Sequence, residues 1–162
     1  MFAENVLIQS CQVHKKRNIK TYLPETTWQW TKQQLNRAWA KEDAEVALRD
    51  LKALATRLES HYPDTAPSLR EALDDTLNVQ KMAISGLLQK SLSTTNPIES
   101  AINVVRDRTG NVKSWRNGKM VQRWVAARML DAETRFRRIK DYRDILLLKH
   151  EIKQLIVEQY DG

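Results

Sequence analysis

The chain has 162 residues, a net charge of +7 and only 4 Gly and 4 Pro, enough for one or two compact units with few turns. Leu, Ala, Lys, Arg, Glu and Gln are plentiful, which favours a mostly α fold. The single cysteine, Cys11, excludes an internal disulfide, 3 scattered histidines are a poor start for a zinc site, and no leader or long apolar run points to export or a membrane. A reducing cytoplasm suits this composition.

In chain order, Val6-Leu7-Ile8 is an apolar, partly β-branched run that reads as a buried strand over residues 6–9, with no second strand to pair with. That mismatch suggests sequence missing upstream. Residues 14–22 read as a short basic helix stopped near Pro24, and residues 25–40 as a second, with Trp28, Leu35 and Trp39 at its apolar positions. Ala44, Ala47, Leu48, Leu51, Leu54, Ala55 and Leu58 then follow the i, i+3, i+4, i+7 pattern closely, the clearest amphipathic helix of the chain. His61-Tyr62-Pro63 ends it, a helix resumes over residues 68–77, and Met82 to Leu92 reads as mixed structure.

Residues 97–108 carry strong helix signals: Asn96 as N-cap, Pro97 at the first position and Glu99 at the third. Thr109-Gly110-Asn111 stops that helix, and residues 112–118 form a loop containing Trp115. A long helix over 119–140 and a last one over 142–160, with Ile145, Leu148, Ile152, Leu155 and Ile156 on one side, complete the chain.

Between residues 101 and 143 the chain carries 12 Lys and Arg against 4 Asp and Glu, a surplus of +8, whereas the remainder holds 15 against 16. A cationic block confined to a quarter of the sequence fits a polyanion, most often nucleic acid; the alternative is a solvated basic helix. Lys113, Trp115, Arg116, Lys119, Arg123 and Trp124 mix cations with aromatics, which suits phosphate neutralisation with stacking, although Trp124 sits among apolar neighbours and reads better as core. Cys11 and His14 have a metal-like spacing but two ligands do not complete a site, and packing is the simpler reading. Glu99 alone reads as a helix cap, and Asp43, Asp50, Asp64, Asp74 and Asp75 as solvated charges on polar faces or turns.

Three blocks in order change the weight of Glu99. Ser93-Thr94-Thr95-Asn96-Pro97-Ile98-Glu99-Ser100 resembles the segment around the last acidic residue of mutator-family transposases. Upstream, Leu7 to Asn18 is similar to that family's block with Cys-x-x-His, here Cys11 and His14; downstream, Asn111 to Met120, Arg123-Trp124-Val125-Ala126 and Phe136-Arg137-Arg138 are similar to its later blocks. Ser10 departs from the pattern, which usually has Arg there, so a phosphate contact is in doubt.

The resemblance implies a DDE transposase of an insertion sequence, with two aspartates and a glutamate holding Mg²⁺ for DNA cleavage and strand transfer. Glu99 corresponds to the glutamate, as catalytic and metal-binding residue, while neither aspartate is matched in this chain. The chain is therefore expected to be the C-terminal part of such an enzyme and inactive alone. Cys11, His14 and Asn96 are placed near the active site, and Lys15, Lys16, Arg17, Lys113, Trp115, Arg116, Lys119 and Arg123 as DNA contacts. The implied fold is the C-terminal part of a ribonuclease H-like core: a partial core over 1–24, a helical insertion over 25–92, and a return helix with basic segment and C-terminal helices over 93–162. DNA, both element ends and target, is the implied partner, together with further copies of the chain or a full-length transposase, in the bacterial cytoplasm at the nucleoid. A non-catalytic DNA-binding remnant that regulates full-length transposase is the alternative, and a helical protein-binding module is more distant.

Overall fold

The computed structural model describes residues 7–109, 114, 116–136 and 138–160, the side chains of residues 108, 109 and 155–160 excepted. Among them the secondary structure is helical throughout: α1 (Gln12–Lys20), α2 (Glu25–Trp39), α3 (Ala44–Glu59), α4 (Thr65–Arg70), α5 (Gly86–Leu92), α6 (Asn96–Thr109), α7 (Gly118–Glu133) and α8 (Ile145–Tyr160), with 3₁₀ turns at Asp74–Lys81 and Tyr142–Asp144. No described helix is long and apolar enough to cross a membrane. The chain divides into two units, residues 1–94 with 141–162 and residues 95–140.

In the first unit α3 forms the centre. Its N-terminus is capped by Asp43, whose Oδ1 accepts from the backbone N–H of Glu45 at 2.8 Å and of Val46 at 3.1 Å. The expected stripe then buries Ala47, Leu51, Leu54, Ala55 and Leu58. Against it pack Ile19 and Leu23, Trp28, Leu35, Ala38 and Trp39, and Leu69, Leu73 and Leu77, so α1 shares one core with α2, α3 and α4. Full burial of a leucine or isoleucine side chain contributes roughly 1.5–3 kcal/mol, and this cluster is the main source of stability in the unit. The C-terminal helix is tied in by polar contacts: Asp141 Oδ2 accepts from the Ser85 hydroxyl at 2.7 Å, and Glu151 Oε2 from the Ala83 N–H at 3.2 Å.

Three expectations change. The strand over 6–9 does not appear: Val6 lies outside the described residues, and no strand forms at Leu7–Gln9. With no neighbouring strand, this segment satisfies its polar groups against the 3₁₀ turn. Ser10 N–H donates to Asp75 O, Asn78 Nδ2 to Ile8 O, and Val79 N–H to the Gln9 side chain. The single helix over 68–77 is split, because Ala72 takes a left-handed φ of 47° between α4 and the 3₁₀ turn, a conformation that costs a non-glycine residue about 1 kcal/mol or more. Leu69, Leu73 and Leu77 still reach the core across the break. The helix over 119–140 stops at Glu133, where Arg135 N–H bonds Ala132 O and Phe136 N–H bonds Glu133 O, tightening the end into three-residue turns.

The second unit is α6 packed on α7. Among its described residues only Ala132 is buried.

Candidate functional site

The residues singled out in the sequence fall into both units, and each group is described within its own. In the second unit, Glu99 stands in the first turn of α6 and is partly exposed. The helix begins one residue earlier than its capping signal suggests: Glu99 N–H donates to Thr95 O at 2.9 Å, which puts Thr95 in the capping place expected for Asn96. The Thr95 hydroxyl donates to Glu99 Oε1 at 2.6 Å, fixing one carboxylate oxygen from the preceding turn. Asn96 opens the helix and is exposed.

Arg116, Lys119 and Arg123 are exposed at the start of α7, with Lys119 and Arg123 one turn apart on the same side. The Asn117 side chain caps that helix by accepting from Met120 N–H at 2.9 Å. Lys113 and Trp115 lie outside the described residues. Trp124 is half-buried, with the Arg128 guanidinium 4.9 Å from its ring centroid, a cation–π contact within the helix rather than a core position. Trp124 therefore does not occupy the buried place that its apolar neighbours suggest.

In the first unit, Cys11 is the residue preceding α1, and His14 is exposed on its first turn, with Nε2 3.5 Å from Arg17 Nη1. The three successive cations that follow have different fates. Lys15 points inward: its side chain is buried, and its ammonium donates to Ser68 O at 2.8 Å and to Glu71 O, with the Glu71 carboxylate 3.9 Å away. It closes the C-terminal end of α4, whose last carbonyls have no helical partner. Burial pushes its pKa down, and Glu71 partly restores it. Lys15, which the resemblance groups with the DNA contacts, thus has donors engaged inside the fold. Arg17 is exposed.

Lys16 is half-buried: Nζ donates to Asn36 Oδ1 of α2 at 3.1 Å and lies 5.8 Å from the Trp39 ring centroid. Its pKa is lowered by burial first and by the neighbouring charge of Lys32 second. Asn36 and Lys32 were not among the candidates from sequence, although a block count of charge over residues 12–39 would have shown 6 Lys and Arg against Glu25 alone.

Among the described residues no group of three or more His, Cys, Asp or Glu side chains comes together to hold a metal ion. The residues described therefore do not fit a two-metal centre, which needs several oxygen ligands. What they do offer is one positioned carboxylate in one unit and exposed cations in both. No curated protein and no solved structure matches the chain. A family model described as Transposase, Mutator family, however, matches residues 2–138, which include the Cys11/His14 block, Glu99 and the basic segment. The chain belongs to the mutator family of transposases.

Proposed function

We propose that the chain serves DNA transposition as the glutamate-bearing part of a DDE transposase, and that taken alone it binds DNA without cutting it. The observation that carries this reading is the family match, which runs continuously across all three sequence blocks. Glu99 is the residue assigned to Mg²⁺. Its support is the family motif around it and a carboxylate oxygen fixed by the Thr95 hydroxyl. Two divalent ions about 3.5–4 Å apart need more carboxylates than this one, so no catalytic step is assigned to the chain by itself. The aspartates that complete the family's triad have no match here. In this reading the chain carries part of a ribonuclease H-like core, and residues 25–92 form its helical insertion. The bacterial nucleoid is the place of action.

The proposed DNA contacts are Lys16, Arg17, Arg116, Lys119 and Arg123, with Lys113 and Trp115 from the same motif, while Cys11, His14 and Asn96 are taken as flanking the scissile region. Neutralising phosphates releases counterions, so affinity should fall steeply with salt. Fluorescence anisotropy with a labelled duplex tests this: combined Arg116→Glu and Lys119→Glu substitution is expected to weaken binding uniformly across sequences and flatten the salt slope. A salt-insensitive interaction would overturn the DNA assignment. Mg²⁺-dependent nicking by the isolated chain would overturn its inactivity.

The same lack of a three-ligand group among the described residues favours a second reading, a non-catalytic remnant that pairs with full-length transposase and regulates it. Co-expression separates the two. A drop in transposition that persists with Glu99→Gln supports regulation; no drop excludes it.

A further inference from the structure

The stretch covering α1 and α2 contains a charge arrangement of which the family blocks include only Lys16. Its one acid, Glu25, is taken by Lys20 at 3.5 Å, and no carboxylate among the described residues pairs with Lys16 or Lys32. A lysine that serves only solubility extends its ammonium into water. Lys16 does the opposite: it is held down between Asn36 and Trp39. Lys32 lies one helical turn before Asn36 on α2, so its Cα is only about 6 Å along the axis from the residue that holds Lys16. Burial first, and the like charge of Lys32 second, lower the affinity of Lys16 for a proton. An anion bridging both would remove that repulsion. Asn36 adds a third donor, since its Oδ1 accepts from Lys16 and its amide NH₂ remains available, one helical turn from Lys32.

We propose that Lys16, Lys32 and Asn36 form a phosphate clamp across α1 and α2 that grips the DNA backbone. The clamp rests on the DNA-binding reading and extends it to α2, which no motif of the family blocks covers. A phosphodiester is its ligand class: a single negative charge with two free oxygens meets two cations and a neutral donor. It therefore contributes affinity and register without sequence preference.

The test uses the full chain, a labelled duplex of random sequence, and anisotropy titrations over a range of salt. Lys16→Gln, Lys32→Gln and Asn36→Asp each change the charge by one unit, as does Lys52→Gln on the exposed side of α3, the matched control. Each clamp variant is expected to weaken binding by roughly fivefold to tenfold at about 0.1 M salt and to lower the salt slope by about 1, with the control near wild type. Lys32→Arg should restore binding, because it keeps the charge. Unchanged far-ultraviolet circular dichroism verifies the fold of each variant, and a Lys32→Gln variant that loses helicity is replaced by Lys32→Arg against Lys32→Met. If the clamp variants match the control while the Arg116/Lys119 variant loses DNA, the clamp is wrong and the DNA-binding reading stands. If the wild-type chain shows no salt-dependent binding, both fall.

Discussion

The two units are held by different means. In the first, α3 turns a regular apolar stripe into a shared core with α1, α2 and α4, and Leu35, Leu51 and Leu69 are fully buried. In the second, α6 and α7 leave Ile98 63%, Met129 52% and Leu130 69% exposed, and Ala132 is the one buried residue among those described. Yet the second unit contains Glu99 and the densest family motifs. Burial shapes the first unit, whereas the second presents a hydrogen-bonded carboxylate and exposed cations, neither of which contributes much to a core.

Truncating an apolar side chain in each unit gives the largest expected contrast. Leu51→Ala should cost about 2–5 kcal/mol, since it removes a buried side chain and leaves a cavity at the centre of α3. Leu130→Ala should stay within about 0.5 kcal/mol, because that side chain is mostly in water. Urea unfolding followed by circular dichroism reads both. Equal losses would mean that the second unit has a core of its own and would end the comparison.

A smaller effect tests the assignment of neighbouring cations to different tasks. Lys15→Met keeps the aliphatic stem but removes the donors to Ser68 O and Glu71 O, and should cost roughly 1–3 kcal/mol in the first unit. Its salt slope for DNA should remain that of the wild type. Lys16→Gln, one residue later, should show the reverse: stability near wild type and a flatter slope. A Lys15 variant that loses the slope and keeps its stability would return Lys15 to the DNA surface.

The same pair explains what could be read in the sequence. Helix positions were legible wherever a cap met a periodic apolar stripe, as at Asp43 with Ala47, Leu51, Leu54 and Leu58. The direction of Lys15 was not, because its partners lie 53 and 56 residues away, at the end of a helix whose stop depends on Ala72 adopting a left-handed φ. Alanine carries no turn signal, so the break in residues 68–77 was hidden. The run at Val6-Leu7-Ile8 has strand-like residue types, but a strand needs a ladder, and Leu7–Gln9 bonds a 3₁₀ turn instead. Glu99 illustrates the opposite limit: local sequence gives a cap, and only the motif order raises it to a candidate ligand. Lys32 carries no motif signal, and the positive charge of residues 12–39 is cancelled by acidic stretches elsewhere outside residues 101–143.

The weakest contrast concerns pH, and it again distinguishes the units, since the pair involved ties α3 to α4 in the first. Arg70 Nη1 and Nη2 donate to both oxygens of Glu59 at 2.8 and 2.6 Å. These hydrogen bonds hold the Glu59 carboxyl below its ordinary value of 4.5 and raise Arg70. A carboxyl with a lowered pKa in the folded state binds fewer protons there than in the unfolded chain. Its contribution is therefore fully present above about pH 4.5 and is lost as pH falls through the lowered value. Both groups face water, so solvent screening keeps the effect small. The expected result is that wild type exceeds Glu59→Gln slightly in Tm at pH 7, that the gap closes at strongly acid pH, and that added salt narrows it at any pH. A gap that widens on acidification would mean that the bidentate pair does not form in solution, and that α3 and α4 are joined by Leu58, Leu69 and their apolar neighbours alone.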